Sequence, residues 1–587
     1  MIFDADQDAV LADESRCLLV EAPPGSGKTY TATRLVARDI DAGRVGPTQR
    51  ALVLTFSRNA RSQLDTYAAE LLTPAQRKRT EITNYHSWFW QKVSEYRTCL
   101  GLPLELEIAS ETQHDQDVAA AMQLVGVQFD RRLLADYSRA LEYEIPGARP
   151  DRLTQPRPQS AEVASRLREL HRRGRVYYDD LAYYMWLLLD GSQTLRRLWR
   201  HKYPVIVLDE YQDTSPLQAM IIDRLAGDES RLYAFADPLQ QIYEWRDASK
   251  RRIAEFRARG PSEHRLRALH RYRSRPALQA WMQQARDVLL DDATRVTTAL
   301  PPEIEVIRYD PSKPERGMVW GAEARELWQI DAPIARAYHD GAETIAVLAR
   351  RHAQLRVIER HLTKNFRCGR LRATEDGLDY ALEWIDGYAA AITVEHHAQR
   401  LLDLAQTVVP RHEHLDLDAR LGPAGISADR LHAPRRELAE GLTELAQRCE
   451  SLADAFRAAH DATRLACRDQ DPRAINWDAL YAIRRVLQAP SHLPDHEAAV
   501  KARARVRQAR FAAAPTPCRG LYLLTCHEGK GKEFDLVILP HVSTANFDDD
   551  EDSRQLLYVS LTRARQRLLV RVPIGQVPPI CERLGLA

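Results

Sequence analysis

The sequence predicts an α/β protein with two parallel-sheet domains, each interrupted by a mainly helical insertion. Three observations predict it. Short apolar runs alternate with helix-like stretches near both ends of the chain. A glycine-rich turn joins the first of these runs to its helix. Two segments, 95–175 and 380–515, show helical spacing with hardly any strand signal. The length of 587 residues sets a prior of about four domains, enough to bury several cores.

The elements follow in order. Cys17–Glu21 is an apolar run that ends in Ala-Pro-Pro-Gly-Ser-Gly and enters a helical stretch, Lys28–Asp41. This reads as strand, turn, helix. Ala51–Thr55 is a second strand, followed by a helix through Leu72. After polar helices and a Pro/Arg-rich loop, Pro146–Pro158, strands return at Val205–Leu208 and Leu232–Phe235. A second set of strands lies at Ile304–Ile307, Ile345–Leu348, Leu521–Thr525, Leu536–Leu539 and Leu568–Arg571. The expected division is 1–94 and 176–264 for the first domain, with 95–175 inserted. It is 265–379 and 516–587 for the second, with 380–515 inserted.

Lys+Arg (83) and Asp+Glu (82) nearly cancel, which excludes a strongly basic coat protein or an acidic tail protein. A local basic groove is still compatible with that balance. The eight cysteines form no C-x-x-C pair and no zinc spacing, so reduced thiols in a cytoplasmic protein are expected. The acidic start has no apolar core of a leader, and no apolar run reaches membrane-spanning length. The acidic run Asp548–Asp552 reads as a solvated loop that starts a helix.

Ala22-Pro23-Pro24-Gly25-Ser26-Gly27-Lys28-Thr29 fits a phosphate-binding loop except at its first position, Ala22. Gly25 and Gly27 let backbone N–H groups turn inward around phosphate oxygens. The helix N-terminus adds partial positive charge. Lys28 reaches the β- and γ-phosphates of ATP, and the Thr29 hydroxyl can ligate Mg²⁺. Only ten of the basic residues are Lys, so chance would give such a pattern roughly 0.002 times per chain. Val205–Leu208 then delivers Asp209 and Glu210. Asp209 would hold Mg²⁺, and Glu210 would orient and deprotonate the attacking water.

Further segments fall in the order seen in one family. They are Phe3-Asp-Ala-Asp-Gln7, Thr55-Phe56-Ser57-Arg58-Asn59-Ala60, Thr83-Asn84-Tyr85-His86-Ser87 and Asp209-Glu210-Tyr211-Gln212-Asp213. Asp237-Pro-Leu-Gln240-Gln-Ile-Tyr243-Glu-Trp245-Arg246 and Tyr272-Arg273-Ser274 come next, with Arg271 where the family has Asn. Thr525-Cys-His527-Glu-Gly-Lys530-Gly-Lys-Glu533-Phe534 and Leu557–Ala564 close the series. With these motifs the chain resembles UvrD/Rep-type superfamily 1 DNA helicases. The resemblance covers about 400 residues, and implies two RecA-like P-loop domains with ATP between them.

The resemblance also implies roles. Gln7 reads adenine, Tyr272 stacks on it, and Glu533 meets the ribose. Gln240 senses the γ-phosphate, and Arg273 and Arg563 are arginine fingers, suited by their bidentate fork. Tyr30 replaces the family's Arg and can also stack on the base. Thr55, His86, Thr525 and His527 contact the DNA backbone. Phe56, Tyr85, Trp88, Tyr243 and Trp245 are candidate stacking platforms for bases. For Phe56, Tyr85 and Trp88, packing in the core is an equal alternative. The implied activity is ATP-driven travel on single-stranded DNA, 3′→5′, with action at single-strand/duplex junctions.

The second insertion departs from the family. Phe366–Glu375 lacks its Gly-Gly-x-x-Phe-Phe-Glu opening. No nuclease domain is expected after Arg563. The alternative is therefore a helicase-like ATPase subunit of a larger machine, such as a Gabija-like anti-phage system, beside a partner nuclease or a repair or defence factor.

Overall fold

A computed structural model describes residues 4–310, apart from 57, 110, 129–130, 150–154, 156, 244–247 and 250, together with 330–362, 368–369 and 520–587. The chain forms two compact units. One comprises residues 1–357, 516–519 and 523–587, and the other 358–515 and 520–522.

From the N-terminus, α1 (Ala5–Ala12) leads into β1 (Cys17–Glu21), α2 (Lys28–Asp41), β2 (Ala51–Thr55), α3 (Arg58–Leu71), α4 (Pro74–Lys78), β3 (Thr80–Asn84) and α5 (Tyr85–Glu95). A short parallel pair follows, β4 (Glu107–Ile108) with β5 (Arg175–Val176). Between them lie α6 (Glu111–Leu124), α7 (Arg131–Ser138), α8 (Ala140–Tyr143) and α9 (Ser160–Arg172). The chain returns through α10 (Asp180–Gly191), α11 (Gln193–Lys202), β6 (Val205–Leu208), α12 (Pro216–Leu225), β7 (Arg231–Ala236), α13 (Arg252–Arg257) and β8 (Ser262–Arg265).

These strands form a parallel sheet in the order β3-β2-β6-β7-β1-β8. The central strands are apolar and buried because helices cover both faces. Leu18, Val20, Leu35, Val36, Val53, Val207, Tyr233 and Phe235 make that core. Register positions the site. Glu21 pairs with Ala236, so Ala22 and Asp237 leave the sheet side by side. Leu54 pairs with Leu208, which brings Thr55 beside Asp209.

The chain continues with α14 (Pro276–Leu289), β9 (Ile304–Tyr309), α15 (Asp331–His339), β10 (Thr344–Ala349), α16 (His352–Leu362), β11 (Cys368–Gly369), β12 (Gly520–Thr525), β13 (Phe534–Leu539), α17 (Glu551–Leu561), β14 (Ala564–Pro573) and α18 (Pro579–Arg583). Five of these strands are ordered β12-β10-β13-β14-β9, with parallel ladders at β10–β13, β13–β14 and β14–β9. In the second unit, β11 pairs in parallel with the start of β12, Cys368 with Leu521. The expected insertion at 380–515 lies outside the described residues, and Phe366–Glu375 is described only at Cys368 and Gly369. The acidic run starts a helix, as expected: the Asp550 side chain accepts from Ser553 N at 2.6 Å and caps α17. No helix among the described residues is long and apolar enough to cross a membrane.

Candidate nucleotide site

The phosphate-binding loop is built by its own backbone. Ala22 N–H donates to Ala236 O (3.0 Å), which fixes where the loop leaves β1. The Ser26 hydroxyl donates to Pro23 O (2.8 Å), closing the turn. Gly25 and Gly27 take φ of 80° and 81°, a region that side chains avoid. Gly27 is crowded too. A Cβ there would come 2.5 Å from Gln7 Nε2, which donates to Ser26 O at 3.3 Å. So α1 holds Gln7 against the loop. Lys28 and Thr29 open α2 directly after it.

Opposite the loop, β6 presents its two carboxylates. Lys28 Nζ forms an ion pair with Glu210 and lies 3.6 Å from Asp209 Oδ1. Burial alone would lower the Lys28 pKa, but the Glu210 and Asp209 charges outweigh it and raise it. Burial pushes Asp209 above the usual carboxylate range, against the pull of Lys28. Glu210 is also buried, yet Lys28 and Lys530 hold it below that range. Asp209 Oδ1 is buried without a hydrogen-bond partner. Glu210 sits at φ 54°, a strained region for a non-glycine residue. Gln212, part of the acidic motif but given no role from the sequence, donates to Glu210 Oε2 (2.6 Å) and accepts from Asp237 N (3.1 Å).

The second sheet closes on the 237–240 turn with several residues. Arg563 is 2% exposed, and its guanidinium reaches Gln240 Oε1 at 3.4 Å and Val559 O at 2.8 Å. Burial and the neighbouring Arg271 charge both lower its pKa. Lys530 Nζ pairs with Asp213 Oδ2 (2.6 Å) and also donates to Gln240 O. Burial pushes the Asp213 carboxyl up to about 6 despite Lys530. From α14, Arg286 donates to Asp237 Oδ1 (2.7 Å) and Tyr558 OH (2.8 Å). The other oxygen of Asp237 takes Gln240 Nε2 at 2.9 Å. Arg286 carries no motif, so nothing in the sequence marked it.

Other candidates are placed differently from expectation. Arg273 is exposed and turns to His270 Nδ1 at 2.7 Å. Arg271 instead faces the loop, pairing with Glu533 and donating to Thr562 O at 2.5 Å. Glu533 also takes Arg565 Nε at 3.1 Å; burial would raise its pKa, but Arg271 and Arg565 lower it. Tyr272 is buried, donates to Ala564 O (3.0 Å), and with Pro23, Pro24 and Thr562 lines a cavity of about 320 Å³. Tyr30 is buried edge-on to Tyr67, with ring centroids 6.1 Å apart.

Four residues named as DNA contacts are buried in this structure, and for Tyr85 and Trp88 this is the core packing that was the equal alternative. Thr55 is fully buried and its hydroxyl points to Asp209 Oδ2 (3.4 Å), so it serves the carboxylate. Trp88 is fully buried among Phe89, Trp199 and Tyr203, and is a core residue. Tyr85 is buried with its hydroxyl 3.4 Å from Thr214 Oγ1. Thr525 is buried and its hydroxyl donates to Glu528 Oε2 (3.0 Å), closing its own turn. Phe56 and Tyr243 do meet: their rings stack at 5.3 Å, with Lys530 Nζ 4.8 Å from the Tyr243 centroid. His86 lies edge-on to Tyr178 (6.1 Å), and His527 is partly exposed. Trp245 lies outside the described residues.

A glycine-turned loop at a helix N-terminus, a lysine within it and paired acids at a neighbouring strand end define a P-loop nucleotide hydrolase. Comparison with known proteins narrows this. Residues 3–261 match the UvrD/REP helicase N-terminal domain, and residues 520–570 match the UvrD-like helicase C-terminal domain. The ATP-dependent DNA helicase UvrD2 of Mycobacterium tuberculosis is 25% identical, across 98% of this chain and 79% of that protein. The ATP-dependent DNA helicase PcrA of Staphylococcus epidermidis is 21% identical, across 97% of this chain and 83% of that protein. The PcrA of Leuconostoc citreum is 26% identical over 59% of this chain and 46% of its own. The chain belongs to the UvrD/Rep helicase family and is an ATP-hydrolysing enzyme.

Proposed function

We infer that the chain is an ATP-driven DNA translocase and helicase that moves 3′→5′ on single-stranded DNA. The observation that carries this reading is Arg563 of the second sheet meeting Gln240 of the first, 3.4 Å apart, beside the Lys28–Glu210–Asp209 cluster. Two RecA-like domains would hold ATP there. Lys28 binds the β- and γ-phosphates. Glu210 takes the proton of the attacking water, aimed by Gln212. Lys28 cannot serve the phosphates and Glu210 equally, so binding ATP frees Glu210 to become a stronger base.

Asp209 and Thr29 would hold Mg²⁺, which neutralises charge on the phosphates. The residues fit, because Asp209 presents a buried oxygen that has no hydrogen-bond partner among the described residues and faces the Lys28 ammonium. One carboxylate and one hydroxyl are a usual protein share for an ion that keeps several waters. Gln7, Tyr30, Tyr272 and Glu533 would hold base and ribose. Gln240 and Arg563 would sense the γ-phosphate, and Arg273, which turns to His270 in this structure, would have to leave it to join them. Loss of the γ-phosphate weakens the grip across the cleft and opens it. The Phe56–Tyr243 stack suits a base platform, with His86 and His527 in the same motif series.

The test is strand separation of 3′-tailed and 5′-tailed duplexes with ATP and Mg²⁺, with Lys28→Ala as the blank. Unwinding of the 3′-tailed substrate alone is expected. Unwinding from the 5′ tail would overturn the polarity. DNA-stimulated hydrolysis without unwinding would favour an ATPase subunit that works beside a partner nuclease or a repair or defence factor.

A further inference from the structure

We propose that Arg271 is a further nucleotide-contacting residue, which binds the α/β end of the phosphate chain where the family pattern has an asparagine. The inference rests on the nucleotide reading above.

Three contacts place it. Arg271 N–H donates to Gly25 O at 3.2 Å, and its side chain lies along the loop. A Cβ built on Gly25 would come 2.7 Å from Arg271 Cβ, so the loop has room for this neighbour only because residue 25 is glycine. At its far end the guanidinium donates to Thr562 O (2.5 Å), next to Arg563, and pairs with Glu533. Arg271 thus spans from the carboxylate expected at the ribose to the loop that cradles the phosphates. The phosphate chain must follow that same path.

Charge points the same way. Arg271 and Arg563 are both largely buried; the Arg271 charge lowers the Arg563 pKa, whereas burial would lower the Arg271 pKa but Glu533 raises it. Glu533 is the carboxylate that pairs with Arg271, and it is shared with Arg565. A polyphosphate would bring further negative charge to these two guanidinium groups, and a planar fork suits its oxygens. An asparagine could offer one hydrogen bond there but no charge. The turn His270–Tyr272 explains why Arg271 and not Arg273 faces the loop. Successive residues of a 3₁₀ turn project about 120° apart.

The experiment is nucleotide binding by the full chain, with ATP, ADP and adenosine, for wild type, Lys28→Ala, Arg271→Asn, Glu533→Gln and the double variant. Arg271→Asn should weaken ATP and ADP alike, by at least about tenfold, and leave adenosine unchanged. The same loss should appear in the Glu533→Gln background. A loss that vanishes there would make Arg271 a support for Glu533 and overturn the proposal. Loss for ATP alone would move Arg271 to the γ-phosphate and overturn the assigned contact. Unchanged binding would overturn it too, while loss in Lys28→Ala upholds the site itself. Failure of wild type to bind ATP would instead sink the nucleotide reading. Arg271→Lys controls for folding: it keeps the charge and should lose less than Arg271→Asn.

Discussion

Glu210 combines a left-handed backbone, burial and an ion pair with Lys28. Such strain is retained where the surrounding structure over-determines it. Glu210→Gln keeps the shape and the bond from Gln212 but removes the proton acceptor. It should bind ATP as wild type does and lose turnover by about a hundredfold or more. Steady-state hydrolysis beside equilibrium binding checks this, and near-normal turnover would remove Glu210 from its role. At this scale the sequence was uneven. Lys28, Asp209 and Glu210 were legible because strand, turn and spacing leave few other uses for those residues. Trp88 and Thr55 were not, because a motif gives residue type but not burial. An aromatic on a helix face can point to base or core, and Trp88 joins Trp199, more than a hundred positions away. Arg271 and Arg273 show the same limit, since a short turn decides which arginine meets the loop.

Among elements, the central strands were legible as apolar runs, and so was the edge strand β9, but the edges of the first sheet were not. β3 reads Thr-Glu-Ile-Thr-Asn and β8 reads Ser-Glu-His-Arg, as befits strands half open to solvent. The junction between sheets was hidden as well. Arg286 of α14 joins the end of β7 through Asp237, which is fully buried. Burial would lower the Arg286 pKa, yet Asp237 raises it, so the guanidinium keeps its charge. Asp237 also positions Gln240, so α14 is connected to the residue expected to sense γ-phosphate. Arg286→Gln should destabilise the fold by about 3 kcal/mol, since it strands a buried carboxylate. It should lower kcat by on the order of tenfold with little change in KM for ATP, because Arg286 acts through Asp237 on Gln240 and makes no hydrogen bond to the phosphate loop. Arg286→Lys should recover stability better than rate, having charge but no fork. A fall in KM-controlled binding without loss of kcat would contradict this.

At the scale of the molecule, the nucleotide site lies within one compact unit, residues 1–357 with 523–587. Gly369 ends β11 and Gly520 opens its parallel neighbour β12, with Cys368 opposite Leu521. A flexible linker of about fifteen Gly/Ser residues can therefore replace 370–519. That chain should still bind ATP in a Lys28-dependent manner. Loss of binding would show that the excised residues are needed to hold the two sheets together. The overall α/β class was readable from alternation alone, whereas the pairing of Arg563 with Gln240 depends on how two sheets meet. No local pattern records that.

The edge position of β3 has one more consequence. The chain departs for residues 95–175 after this outermost strand and its helix α5, and returns through α10, which packs on α5 and α12. A buried clasp fastens the return: His171 of α9 lies 2.9 Å from both Asp180 and Tyr184 of α10. Lengthening or exchanging the excursion there interrupts no ladder of the six-stranded sheet and moves no strand that carries Lys28, Asp209 or Glu210. Evolution can thus refit the attachment for new tasks while the engine keeps its timing, provided the replacement carries a clasp of its own.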